Sequence, residues 1–94
     1  MNDNQLIKLL KEEGYPSHMI ENTILKLRKL SYPIDESFEN WCTTGVLPLY
    51  CIGGYTFEKL TQDYKMKPVG AFLTLDWLVR EPEKASAALL KGKK

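Results

Sequence analysis

Apolar residues recur at helical spacing along most of this chain, and short polar, glycine or proline breaks divide the pattern into segments. The first segment predicts a helix over about residues 3–13. Asn2 or Asp3 can act as its N-cap, and Gly14 permits a left-handed ending.

A second helix is predicted over residues 17–30, after the break that Tyr15-Pro16 imposes. Ser17 is a good N-cap residue for it. Its apolar stripe comprises Met19, Ile20, Thr23, Ile24, Leu27 and Leu30. A shorter third helix is predicted over residues 36–43, with Asp35 as its N-cap.

The segment between Val46 and Tyr55 has the least helical character in the chain. Tyr50-Cys51-Ile52 is typical of a strand, and Gly53-Gly54 suits a two-residue hairpin turn. The pattern is therefore compatible with one small β-hairpin near residues 49–57. Such a hairpin would have to pack against the helices, because an isolated hairpin is marginally stable.

Three further helices are predicted in the second half. Thr56 caps a helix over residues 57–65, Pro68 begins one that ends at Arg80, and Pro82 begins one that ends near Lys91-Gly92. The predicted fold is mainly α: a compact bundle of five to six short helices, with room for the hairpin. We expect one domain over residues 1–90 and a basic tail over residues 91–94.

The helix over residues 68–80 is apolar on two sides. One stripe contains Ala71, Phe72, Leu75, Leu78 and Val79, and the other contains Val69, Leu73 and Trp77. Such a helix is either central in its domain or exposes one stripe to a partner. The central position is favoured, since a small helical domain needs a hub. In either case Phe72 and Leu75 are expected in the core.

The second stripe provides the candidate partner-binding site. Val69, Leu73 and Trp77 would contact the partner, with Trp77 as the anchor because tryptophan supplies a large contact area at low entropic cost. Asp76 and Arg80 would form the polar rim. The pattern thus favours a module that binds another protein or a second copy of itself.

A helix-turn-helix over residues 56–80 is the alternative interpretation. Its second helix would have to read DNA with Arg, Lys, Asn, Gln or Ser side chains. That helix instead carries Val69, Leu73, Asp76 and Trp77 at many of its positions. DNA binding is therefore the less favoured of the two.

Composition and charge limit the classes of protein to which this chain can belong. The 94 residues are 44% hydrophobic and 27% charged, which is typical of a globular domain rather than a disordered chain. The formal net charge of +1 provides no strong field toward nucleic acid or anionic membranes. The beginning of the chain lacks the pattern of a secretory signal, so a cytoplasmic protein with reduced Cys42 and Cys51 is expected.

Catalytic and metal-binding patterns are not found in the sequence. His18 is the single histidine, and it has no nucleophile or acidic partner at an informative spacing. Cys42 and Cys51, with eight residues between them, match no zinc-site spacing, and Gly53-Gly54 lacks the lysine of a phosphate-binding loop. We therefore expect no enzyme activity, no cofactor and no metal.

The motifs GGYT, KPVGAFL and LVREPEKA, in residues 53–85, resemble small bacterial proteins that are often carried on mobile elements. The resemblance covers about forty residues of the second half of the chain. It implies a compact helical fold, and it assigns no catalytic or ligand-binding residue.

Overall fold

Six helices and one two-stranded hairpin follow one another in the computed structural model, which describes residues 2–92. The elements are α1 (Asp3–Glu12), α2 (Ser17–Leu27), α3 (Ile34–Thr44), β1 (Cys51–Ile52), β2 (Tyr55–Thr56), α4 (Phe57–Gln62), α5 (Pro68–Arg80) and α6 (Pro82–Gly92). The predicted mainly α fold is confirmed, and the hairpin lies within the predicted residues 49–57. The radius of gyration is 12.8 Å, close to the value of about 12 Å expected for a compact chain of this length.

The helix starts in the first half differ in how they are capped. The Asn2 side chain accepts a bond from the Gln5 backbone N–H, and the Gln5 side chain accepts one from Asn2, so α1 begins with a full capping box. Predicted caps at Ser17 and Asp35 are wrong: both residues lie in the first turn, preceded by proline at the cap position. There the Asp35 carboxylate still complements the positive end of the α3 dipole.

The hairpin leads directly into α4. Cys51 pairs with Thr56, and the two turn glycines between the strands have φ of 57° and 87°, the left-handed values that a type I′ turn requires. The Thr56 hydroxyl then accepts a bond from the Lys59 N–H at 3.0 Å, which confirms the predicted cap. α4 ends at Gln62 rather than at residue 65, and the chain reverses through Lys65, whose φ is 59°.

α5 packs against α3, α4, α6 and β1, so it is the central helix of the domain. Phe72 is fully buried, and its ring contacts those of Phe38, Trp41 and Phe57 at centroid distances of 5.3, 5.5 and 4.9 Å. Leu75 is also fully buried. The predicted core positions of Phe72 and Leu75 are confirmed.

Two details of the predicted helices need correction. Met19 and Val79, which the pattern places in apolar stripes, are 44% and 36% exposed. α2 ends at Leu27, three residues earlier than predicted. α6 ends at Gly92, which confirms the predicted end near Lys91-Gly92, and it includes the first two residues of the predicted basic tail. Residues 93 and 94 of that tail lie outside the described residues. Within residues 2–92, no helix combines the length and apolar character needed to cross a bilayer.

Candidate functional site

An open groove of about 540 Å³ lies between the end of α2 and one side of α5. Leu73 and Trp77 provide its large apolar side chains. The complete lining is Lys26, Lys29, Leu73, Thr74, Asp76, Trp77, Arg80 and Glu81, and we call this feature the α2–α5 groove. It brings together four of the five residues that the sequence predicted as a partner-binding site.

Val69 is the fifth predicted site residue, and its assignment to a binding surface is wrong. Its side chain is fully buried in the core. Its backbone N–H donates to the Glu13 carboxylate at 3.0 Å, so the first turn of α5 meets the end of α1. Burial raises the pKa of the Glu13 carboxyl above its usual value of 4.5, although this bond and the charge of Lys67 oppose the change.

Leu73 and Trp77 are half-buried, with one side packed on the core and the other facing the groove. The Trp77 indole N–H donates to the Glu81 carboxylate at 3.3 Å, which fixes the ring orientation. The two sequence interpretations of α5 therefore describe different faces of one helix. One face belongs to the core, and the other presents two anchored apolar side chains to solvent.

Asp76 holds the two walls of the groove together. It is only 5% exposed, and its carboxylate accepts the Ser31 backbone N–H at 2.6 Å and the Arg80 Nε–H at 2.8 Å. Ser31 follows α2, so this contact ties the segment after α2 to the middle of α5. The sequence had placed Asp76 on a solvated rim. The structure instead gives it a buried positioning role.

Most of the other polar side chains along the α5 wall already have partners. Glu81 pairs with Lys84 at 3.2 Å, and this contact is the main reason that the pKa of Glu81 is lowered. The Thr74 hydroxyl donates to the Gly70 carbonyl oxygen at 2.8 Å. Lys26 and Lys29, in contrast, pair with no carboxylate within residues 2–92. The sequence pattern gave no signal that these two lysines face α5.

The geometry bears directly on the helix-turn-helix alternative. α4 and α5 are joined by the turn over residues 63–67, but α5 is enclosed by α3, α4, α6 and β1. Val79 and Arg80 are its exposed residues, and the polar side chains that α5 can offer to a base edge or a phosphate are mainly those of Arg80 and the half-buried Thr74. α5 thus offers little of the polar surface that a recognition helix needs.

A second apolar surface lies outside the groove. Val46, Leu47 and Leu49, in the loop between α3 and β1, are 57%, 49% and 92% exposed. No charged residue interrupts this segment. The loop is an internal comparison for the α2–α5 groove, since it exposes similar side chains without the charged walls.

The reactive side chains of the described region do not form a cluster. His18 is exposed on the first turn of α2, and no three side chains within residues 2–92 are grouped as metal ligands would be. Cys42 and Cys51 are separate free thiols. Burial raises the pKa of the Cys42 thiol to about 11, which suppresses the nucleophilic thiolate at neutral pH.

No protein-family profile, no curated protein and no solved structure matches this chain. The function proposed below therefore rests on the geometry of the α2–α5 groove and on its charges.

Proposed function

We propose that this domain is a non-enzymatic module that binds another protein through the α2–α5 groove. The observation that carries the proposal is the pair Leu73 and Trp77, held half-exposed by a helix whose opposite face is the core. Aromatic and aliphatic side chains that are fixed before binding lose little conformational entropy when a partner covers them. Such residues are the usual anchors of protein interfaces.

Two alternatives are outcomes of the same experiment. A second copy of the chain could occupy the groove, and DNA could bind through a helix-turn-helix over residues 56–80. The net charge of +1 provides no strong field toward a phosphate backbone, and α5 offers little of the polar surface that a recognition helix needs. We place the module in the cytoplasm, as expected from the sequence.

A matched pair of double variants tests the proposal. Leu73→Gln with Trp77→Gln removes the apolar part of the groove, whereas Leu47→Gln with Leu49→Gln removes as many apolar side chains from the exposed loop. Each protein is immobilised and exposed to extract of the organism that produces it, with and without nuclease treatment of the extract. Circular dichroism and sizing chromatography report folding and self-association for every variant.

We expect the groove variant to remain folded and to lose a captured protein that the wild type and the loop variant both retain. Equal capture by all three proteins would contradict the proposal. Capture by the wild type that disappears when the extract is treated with nuclease would contradict it as well. An unfolded groove variant would also contradict it, because Leu73 and Trp77 would then be structural rather than binding residues.

A further inference from the structure

The charges around the α2–α5 groove are unevenly compensated. Its two carboxylates are both engaged: Asp76 binds Arg80 and the Ser31 N–H, and Glu81 pairs with Lys84. Neither negative charge is therefore available to neutralise another cation. The uncompensated charge in the lining is positive.

Lys26 and Lys29 supply most of that positive charge. Both side chains are exposed on the α2 side of the groove, and neither pairs with a carboxylate in the described part of the chain. Lys26 lies in the last turn of α2 and Lys29 lies two residues beyond its end, and both line the same groove. A ligand on Leu73 and Trp77 would have these two ammonium groups beside it.

Arg80 adds a third cationic group on the opposite wall. Its Nε–H is used by Asp76, and its side chain is 50% exposed. A guanidinium has five N–H donors, so its outer edge can still bind a carboxylate with two parallel bonds. The Asp76 contact also holds the guanidinium in place, which reduces the entropy lost when a second carboxylate binds.

We propose that the occupant of the groove is an acidic amphipathic segment of another protein. Its apolar residues would cover Leu73 and Trp77, and its carboxylates would face Lys26, Lys29 and Arg80. This inference rests on the proposed function, and it names the chemistry of the partner. The α5 side of the groove runs from Leu73 to Arg80, about 10 Å of helix, which matches two turns of a docked helix.

Synthetic peptides of defined charge test this chemistry without the natural partner. The first is a peptide of about 18 residues, long enough to form a helix, with leucines on one face and glutamates elsewhere. The second has lysine at every glutamate position, and the third has serine at every leucine position. Amide NMR spectra of the isotope-labelled, full-length protein locate each contact, and fluorescence anisotropy of the labelled peptides measures affinity.

A pair of charge-reversal variants completes the design. Lys26→Glu with Lys29→Glu reverses the charge beside the groove, and Lys8→Glu with Lys11→Glu makes the same change on exposed positions of α1. We expect the acidic peptide to shift the resonances of α5 groove residues. The groove reversal should weaken its binding about tenfold, equivalent to about 1.4 kcal/mol, and the α1 reversal by less than about twofold.

Three results would overturn the inference: no binding of the acidic peptide at the groove, equal binding of the basic peptide, or equal effects of the two charge reversals. Failure of the proposed function is distinguishable from these. If the double change of Leu73 and Trp77 still abolishes capture of a protein while the acidic peptide does not bind, docking at the groove stands and the acidic chemistry is wrong.

Discussion

Replacing Asp76 with alanine tests whether the two walls of the groove are tied together as described. The substitution leaves the Ser31 N–H without its acceptor in a part-buried position, which costs about 1–3 kcal/mol. The ion pair with Arg80 adds about 0.2–1 kcal/mol, because the arginine is half exposed and well screened. Alanine recovers about 0.5 kcal/mol through its higher helix propensity. We expect a net loss of about 2 kcal/mol.

Thermal and urea unfolding measure this loss. For a domain of this size, about 2 kcal/mol corresponds to a decrease in Tm of about 8–16 °C. Asp76→Asn keeps an oxygen that can accept the Ser31 N–H, so it should cost about half as much. Asp63→Ala is the control, since it removes the same charge from an exposed position and should change stability by less than about 0.5 kcal/mol. If Asp76→Ala unfolds like this control, the contact between Ser31 and α5 does not stabilise the domain.

Three other perturbations probe the core, the thiols and the contact between α1 and α5. Phe72→Ala and Leu75→Ala should lower the free energy of unfolding in urea by about 3–5 and 2–5 kcal/mol. If both variants unfold like the wild type, the core has been assigned to the wrong face of α5. Iodoacetamide at neutral pH should modify the exposed Cys51 well before Cys42, because the raised pKa and partial burial of Cys42 protect its thiol. Mass spectrometry of samples taken over time gives the order of modification, and modification of Cys42 first would contradict this prediction. The pKa of Glu13 is raised in the folded state, so the folded protein binds the carboxyl proton more tightly than the unfolded chain does. The free energy of unfolding of the wild type should therefore fall relative to that of Glu13→Gln as the pH rises above about 4.5. A pH-independent difference between the two proteins in unfolding experiments would contradict this.

Local signals in the sequence were sufficient to predict most of the helices. Pro68 at the start of α5, Thr56 at the cap of α4 and the two glycines of the hairpin turn each specify backbone geometry through their own chemistry. The α5 periodicity also identified Phe72 and Leu75 as core residues. These features depend on neighbours within a few positions, which is why one sequence can reveal them.

The candidate site depended on contacts that local patterns do not contain. Val69 has the same apolar character and spacing as Leu73, and its full burial depends on how the helices pack into one core. The Asp76 carboxylate accepts a hydrogen bond from the Ser31 backbone N–H, 45 positions away, so the local helical pattern could not predict its role. Lys26 faces the groove because of how α2 packs, and its sequence neighbours do not indicate this.

Site-specific photocrosslinking in cells that produce the protein is the most direct test of docking at the α2–α5 groove. Benzoylphenylalanine is placed at position 29, on the groove wall with Lys26 still beside it, or at position 49, where Leu49 is 92% exposed on the separate loop. The account predicts a protease-sensitive protein adduct from position 29 that is absent or much weaker from position 49. Adducts of equal yield from both positions, adducts from position 49 alone, or a nuclease-sensitive product from position 29 would contradict it.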